Sequence, residues 1–179
     1  VDLDPRSGQE TEAIERAGES LRKHDMRPGN FWVPAGINTK DDAAFAAGLE
    51  KLDQIAPALT GAGYKAAYEH IMPGSNDLTY DEQLAFYARR LQELAAVAGR
   101  HGITFGIEYV GPKTLRDKFT HPFIHSLETA KVLLREAGNP ACLGLLLDSF
   151  HAFTAGETAE DLRAGLEGLP VACLHVNDA

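Results

Sequence analysis

The stretch LGLLLDSFHAF, Leu143 to Phe153, decides the fold. Its nearly pure aliphatic run, Leu143 to Leu147, leads straight into Asp148, and His151 follows three positions later. A segment built for burial on both faces reads as a strand of a parallel sheet, and a charge at its C-terminal end needs a reason. Working outward, the same kind of short apolar run recurs at Val1–Leu3, Phe31–Ala35, Tyr64–Ile71, Ile103–Val110 and Val171–Val176, which with Cys142–Leu147 makes six strand candidates. Between them lie longer stretches of helical period, so the pattern is that of βα units around a parallel sheet.

Several helix starts carry their own signals. Ser7 with Glu10 and Thr79 with Glu82 have capping-box spacing, and Thr39 and Thr158 precede acidic residues that suit a helix N-terminus. Phe45, Leu49, Leu52 and Ala56 form one apolar stripe. Leu84, Tyr87, Leu91 and Leu94 form a second, and Leu162, Leu166 and Leu169 a third; each is a face to be packed on a sheet.

Strict alternation leaves an open doubly wound sheet or a closed (β/α)8 barrel. Neither GxGxxG nor GxxxxGK[ST] occurs, which argues against an open nucleotide-binding sheet. A complete barrel takes about 250 residues and eight strands. The expected fold class is therefore α/β, a (β/α)8 TIM barrel of which residues 1–179 supply one partial domain with six of the eight strands.

An apolar fraction of 44% and a charged fraction of 24% are ordinary for a globular chain. No apolar run approaches the roughly 20 residues of a membrane span, and the opening VDLDPRSGQE lacks the features of a signal peptide. Cys142 and Cys173 sit in apolar runs and read as core thiols of a reducing compartment, so cytoplasm is the expected location. With 17 basic against 26 acidic side chains, a net charge of -9 and no basic cluster, a nucleic-acid partner is not expected.

Side-chain alternation within the last strands is the most informative pattern. In FGIEY, Gly106 and Glu108 share one face; in LGLLLD, Gly144, Leu146 and Asp148 do; in VACLHVND, Val171, Cys173, His175 and Asn177 do. Glu108, Asp148 and His175 are thereby delivered to the same end of the same interior, the end at which barrel active sites are built. Each alone has a plainer reading: a strand-end acid is commonly a helix cap or an ion-pair partner, and a lone strand histidine a satisfied core residue. Together they make a metal or catalytic site. Oxygen and nitrogen donors without thiolate suit one divalent ion, Mn, Zn, Co or Mg.

GIEYVGP, LLLDSFHAF and CLHVNDA resemble the motifs of the xylose isomerase-like barrel superfamily, in its sugar phosphate isomerase/epimerase group (the AP endonuclease 2-like family). The resemblance covers essentially the whole chain and numbers its strands second to seventh of eight, with the first and eighth missing. It implies that Glu108, Asp148 and His175 are metal ligands, that Glu108 is also one of two acid/base groups, and that His151 contacts substrate beside the metal and takes part in catalysis. The family's fourth ligand, a glutamate on the eighth strand, has no counterpart in these residues. The activity implied is isomerisation or epimerisation of a sugar, sugar phosphate or inosose through an enediolate; expulsion of a β-hydroxyl from the same enolate would make a dehydratase or lyase.

His70, near the end of YEHIMPGS, is a candidate for bonding a sugar hydroxyl, with Glu69 as its rival for the inward position. Asp178 is a candidate for orienting His175 or binding a hydroxyl. His121 and His125 could overhang the site, Lys113 reads more simply as a surface lysine, and Trp32 as a sugar-stacking wall or core bulk. An endonuclease IV-like nuclease fits less well, because that branch has HPG where this chain has MPG with Met72, and acidic charge opposes it. A non-catalytic barrel module is the third reading, opposed by the retained Glu108, Asp148, His151 and His175. The expected partner is a small sugar or polyol, with a homo-oligomer left open.

Overall fold

The computed structural model describes residues 1–5 and 11–177. Five parallel strands form the main sheet: β1 (Phe31–Trp32), β2 (Ala66–Ile71), β4 (Thr104–Tyr109), β6 (Leu143–Asp148) and β7 (Val171–His175). Leu3 adds a single parallel bridge to Phe31 outside β1, so the first expected strand shrinks to one residue pair. Two further short strands, β3 (Gly74–Ser75) and β5 (His121–Pro122), pair antiparallel as a separate ribbon.

Spatial order in the main sheet follows sequence order, β1-β2-β4-β6-β7, with no reversal. A doubly wound sheet reverses at a switch point, whereas a barrel winds one way. The sheet also curls. The rings of Tyr68 on β2 and His175 on β7 meet at 5.4 Å although β4 and β6 lie between their strands. Asn30, just before β1, donates from Nδ2 to Cys173 Sγ on β7. The architecture is a curled half-barrel.

Helices α1 (Thr11–Lys23), α2 (Asp42–Gly61), α3 (Tyr80–Arg100), α4 (Lys113–Arg116), α5 (Leu127–Glu136), α6 (Ser149–Ala155) and α7 (Ala159–Gly165) connect the strands. Thr79 with Glu82 and Thr158 with Asp161 form capping boxes at α3 and α7. At α2 the cap is Asp41 rather than Thr39: a carboxylate accepts from two backbone donors, Ala43 N and Ala44 N, while Thr39 Oγ1 accepts from Asp41 N. The expected Ser7–Glu10 box lies outside the described residues.

β1 is shorter than the run Phe31–Ala35 because Pro34 has no N–H to donate. The helical stripes bury Phe45, Leu52, Ala56, Tyr87, Leu91 and Leu94 against the sheet, whose central residues Phe105, Ile107 and Leu145 are fully buried. Truncating a leucine such as Leu145 to alanine there costs about 2–5 kcal/mol. A bulge resets the register in β7: Val171 pairs with Leu145, but Cys173 pairs with Leu146, so Ala172 is the extra residue. Val171 therefore leaves the face it would share with Cys173 and His175 under simple alternation.

Candidate active site

Glu108 is the penultimate residue of β4 and Asp148 the last of β6, and both residues are buried at 8% exposure. Gly106 makes the approach of these strands possible. A Cβ on it would lie 2.6 Å from Leu146 N and 2.8 Å from Leu145 C, inside the β6 backbone. Gly106 and Gly144 are register partners, which places the two acids on neighbouring strands at one end of the interior.

Asp148 uses its two oxygens differently. Oδ1 caps α6, accepting from Phe150 N at 2.8 Å and His151 N at 3.4 Å. Oδ2 accepts from Asn177 Nδ2 at 2.7 Å and lies 3.8 Å from His175 Nδ1. The strand ends on a charge because that charge starts the next helix, and the helix start delivers His151. Its Nε2 stands 3.8 Å from Glu108 Oε1, and its Nδ1 is buried without a hydrogen-bond partner among the described residues.

One ligand atom each from Glu108, Asp148 and His151 falls within 4.8 Å of the others. His175 approaches Asp148 but stands outside that mutual set. The electrostatics are those of a site short of positive charge. Burial, with the Asp148 charge next, pushes the Glu108 carboxyl up to about 7, and His70 opposes the shift. Burial holds His151 below its ordinary value, against the pull of Asp148. Two buried carboxyl groups beside imidazoles fit a divalent cation: it would relieve the like-charge burial and take oxygen and nitrogen donors.

His70 is the register partner of Glu108 and so faces the interior with it. Its ring meets Trp32 edge-on at 5.8 Å, and Trp32 lies 4.5 Å from Tyr68, giving that side of the interior an aromatic wall. Glu69 is nearly fully buried, with Oε1 2.9 Å from His70 Nδ1. Asp178 lies outside the described residues. His121 pairs with Ser75 in the ribbon, and His125 Nδ1 lies 2.7 Å from Phe123 O, so both are tied into the loop above the strands and neither joins the carboxylate cluster. Lys113 pairs with Asp117 on the exposed side of α4.

Two contributors escape a reading of the sequence. Asn177, which alternation places on the face of His175, holds Asp148 Oδ2. Gly111 lets the loop after β4 rest on α6, where a Cβ would come within 2.0 Å of His151 O. The first had a signal in its spacing; the second had none beyond being a glycine.

The model of the family described as xylose isomerase-like TIM barrel matches residues 2–179. No curated protein matches. Among solved structures, a xylose isomerase domain protein from Alicyclobacillus acidocaldarius subsp. acidocaldarius superimposes with a TM-score of 0.86 at 25% identity, over 100% of this chain and 63% of that one. The 3-keto-D-glucoside 4-epimerase YcjR from E. coli gives 0.75 at 17% identity, over 94% and 65%. The IOLI protein with a bound zinc atom gives 0.71 at 18%, over 93% and 56%; these last two likenesses are of fold. The chain spans less than two thirds of the length of each of these three solved chains.

Proposed function

The chain belongs to the xylose isomerase-like TIM barrel family, and from that premise we propose that it carries the site of a divalent-metal-dependent isomerase or epimerase of a sugar or related polyol. The observation that carries this reading is the buried pair Glu108 and Asp148, held at the C-terminal strand ends with imidazoles on either side. The proposed metal ligands are Glu108, Asp148 and His175, with His151 contacting substrate beside Glu108. His70 and Asp178 are proposed to bind substrate hydroxyls. A zinc-bearing relative of the same fold and an epimerase of the same fold are consistent with this assignment.

The chemistry follows from these roles. A bound divalent ion supplies a Lewis acid that polarises a carbonyl and its neighbouring hydroxyl. Glu108, as carboxylate, takes the proton from the carbon next to the carbonyl; the C–H electron pair becomes the carbon–carbon double bond of an enediolate and the negative charge passes to oxygen. Return of that proton by Glu108 to the neighbouring carbon gives the aldose–ketose isomer; the epimer needs a second acid to donate a proton to the opposite face of the same carbon while Glu108 keeps the one it took, a role the family pattern gives to the glutamate of the eighth strand. His151, kept neutral by burial, can hydrogen-bond a substrate oxygen without adding charge.

The test is turnover of a panel of keto sugars and inososes after chelation and after adding back Mn, Co, Mg or Zn. Metal-dependent conversion abolished by Glu108→Gln supports the proposal. Turnover that ignores chelation, or that survives Glu108→Gln, contradicts it.

A further inference from the structure

His151 rides on a helix with little apolar hold. Of the seven residues of α6 only Ala152 is buried, while Phe150 is 39% and Phe153 69% exposed. A helix of that length spans about 10 Å and is not stable by itself, so its place is set by whatever fixes its two ends. The first end hangs on Asp148 Oδ1, with the His151 N–H at a long 3.4 Å.

The other end closes through Gly156, in the left-handed region at φ 84°, after which the Glu157 N–H donates to Ala152 O at 3.1 Å. That turn brings the half-buried Glu157 onto β4 and α5, where each carboxylate oxygen has a partner. Oε2 accepts from the Tyr109 hydroxyl at 2.5 Å, and Oε1 accepts from the N–H of Leu127, the first residue of α5, at 2.6 Å. Both donors need an acceptor: Tyr109 is 1% exposed, and the first N–H groups of a helix have none within it. Tyr109 directly follows Glu108 on β4. One carboxylate thus fastens the far end of the His151 helix to the strand that carries Glu108 and braces it against the start of α5.

We propose that Glu157 is a positioning residue: through the Tyr109 hydroxyl it holds α6 against β4 and so sets the 3.8 Å separation of His151 Nε2 from Glu108 Oε1. The importance of that separation for turnover rests on the proposed function; the separation itself does not. A proton-abstracting group and a substrate contact on different elements work together only while their spacing matches the bound substrate.

The nuclear Overhauser effect between the His151 ring and the Glu108 Hγ protons reads the separation in the metal-free protein without substrate. It is expected in the parent. It should weaken or vanish in Tyr109→Phe, which removes one oxygen and keeps the ring, and in Glu157→Gln, whose single acceptor oxygen cannot serve both partners where they stand. The doubly substituted protein should lose no more than the singly substituted ones. Thr79→Ala, which breaks the remote capping box of α3, controls for general loss of stability and should leave the signal intact. A signal absent from the parent, unchanged in Tyr109→Phe or equally weakened in Thr79→Ala overturns the proposal. Should Glu157→Gln fail to fold, Tyr109→Phe still decides.

In the Mn-loaded protein, turnover of keto sugars and inososes is expected to fall about tenfold with Tyr109→Phe. Combined with His151→Ala, the substitution should lower turnover no further than His151→Ala does alone; additive losses overturn the positioning role. A parent that converts none of these substrates contradicts the proposed function, and the Overhauser signal then decides the positioning role by itself.

Discussion

Glu108 and Asp148 stand at the ends of adjacent parallel strands, both at 8% exposure, close enough that one oxygen of each and a ring nitrogen of His151 fit within 4.8 Å. Two carboxyl groups in that position repel each other once both are ionised. The arrangement is costly without a cation and favourable with one.

Glu108→Gln should separate binding from stability. Removing one buried ligand is expected to weaken Mn affinity by on the order of 100-fold, at the upper end of what even an outer partner of a metal ligand costs. The same substitution removes a buried like charge, so the metal-free variant should melt at or above the parent at pH 8. Calorimetric titration and thermal melts of both proteins after chelation check this. A metal-free variant that melts well below its parent would contradict it.

The raised Glu108 pKa gives the metal-free protein a definite pH response. Burial raises the folded Glu108 carboxyl to about 7 from the ordinary 4.5, so between these values the folded state holds more protons than the unfolded state. Stability from this group is therefore complete below about 4.5 and is lost as pH rises to about 7, by about 3 kcal/mol at most. Metal binding at pH 6 should release about one proton, and far less at pH 8. Titration in buffers of different ionisation enthalpy measures the release, and Glu108→Gln should abolish it.

Gly111→Ala should act on the site from outside it. The added Cβ would meet His151 O at 2.0 Å and Thr154 Oγ1 at 2.7 Å, so α6 must move. We expect a loss of about 1–3 kcal/mol in stability, the range for overpacking, together with weaker metal binding. Denaturant melts and Mn titration decide; unchanged values would mean that the loop after β4 yields instead of the helix.

Asn177→Ala removes the amide that holds Asp148 Oδ2. Loss of one such bond should cost only about 1 kcal/mol of stability, whereas loosening the carboxylate should lower metal affinity about tenfold. Parallel measurement of both quantities is the check: a large stability loss with intact affinity would assign Asn177 to the fold alone.

Period-two alternation made Glu108, Asp148 and His175 legible as groups sharing one end, because strand geometry leaves few choices of face once the apolar residues are placed. The one-way strand order followed from the βα pattern and the missing glycine fingerprints. Contacts between segments distant in sequence were not legible. The β3–β5 ribbon joins two-residue strands, too short to show any period, and Gly74 is needed there because a Cβ would meet Phe119 Cβ at 2.5 Å. The bulge at Ala172 has no sequence mark, so Val171 was misplaced. Alternation identifies His70 as the inward residue of the Glu69–His70 pair, yet it gives no hint that the Glu69 carboxylate folds back onto its neighbour's ring.

Anomalous diffraction from crystals of this protein soaked in Mn or Zn tests the central claim most directly. A single strong peak is expected at the C-terminal ends of β4 and β6, with oxygens of Glu108 and Asp148 and a nitrogen of His175 at about 2.0–2.2 Å for Zn. No peak there at saturating metal, or a peak held by other residues while Glu108 and Asp148 stay unligated, would contradict it.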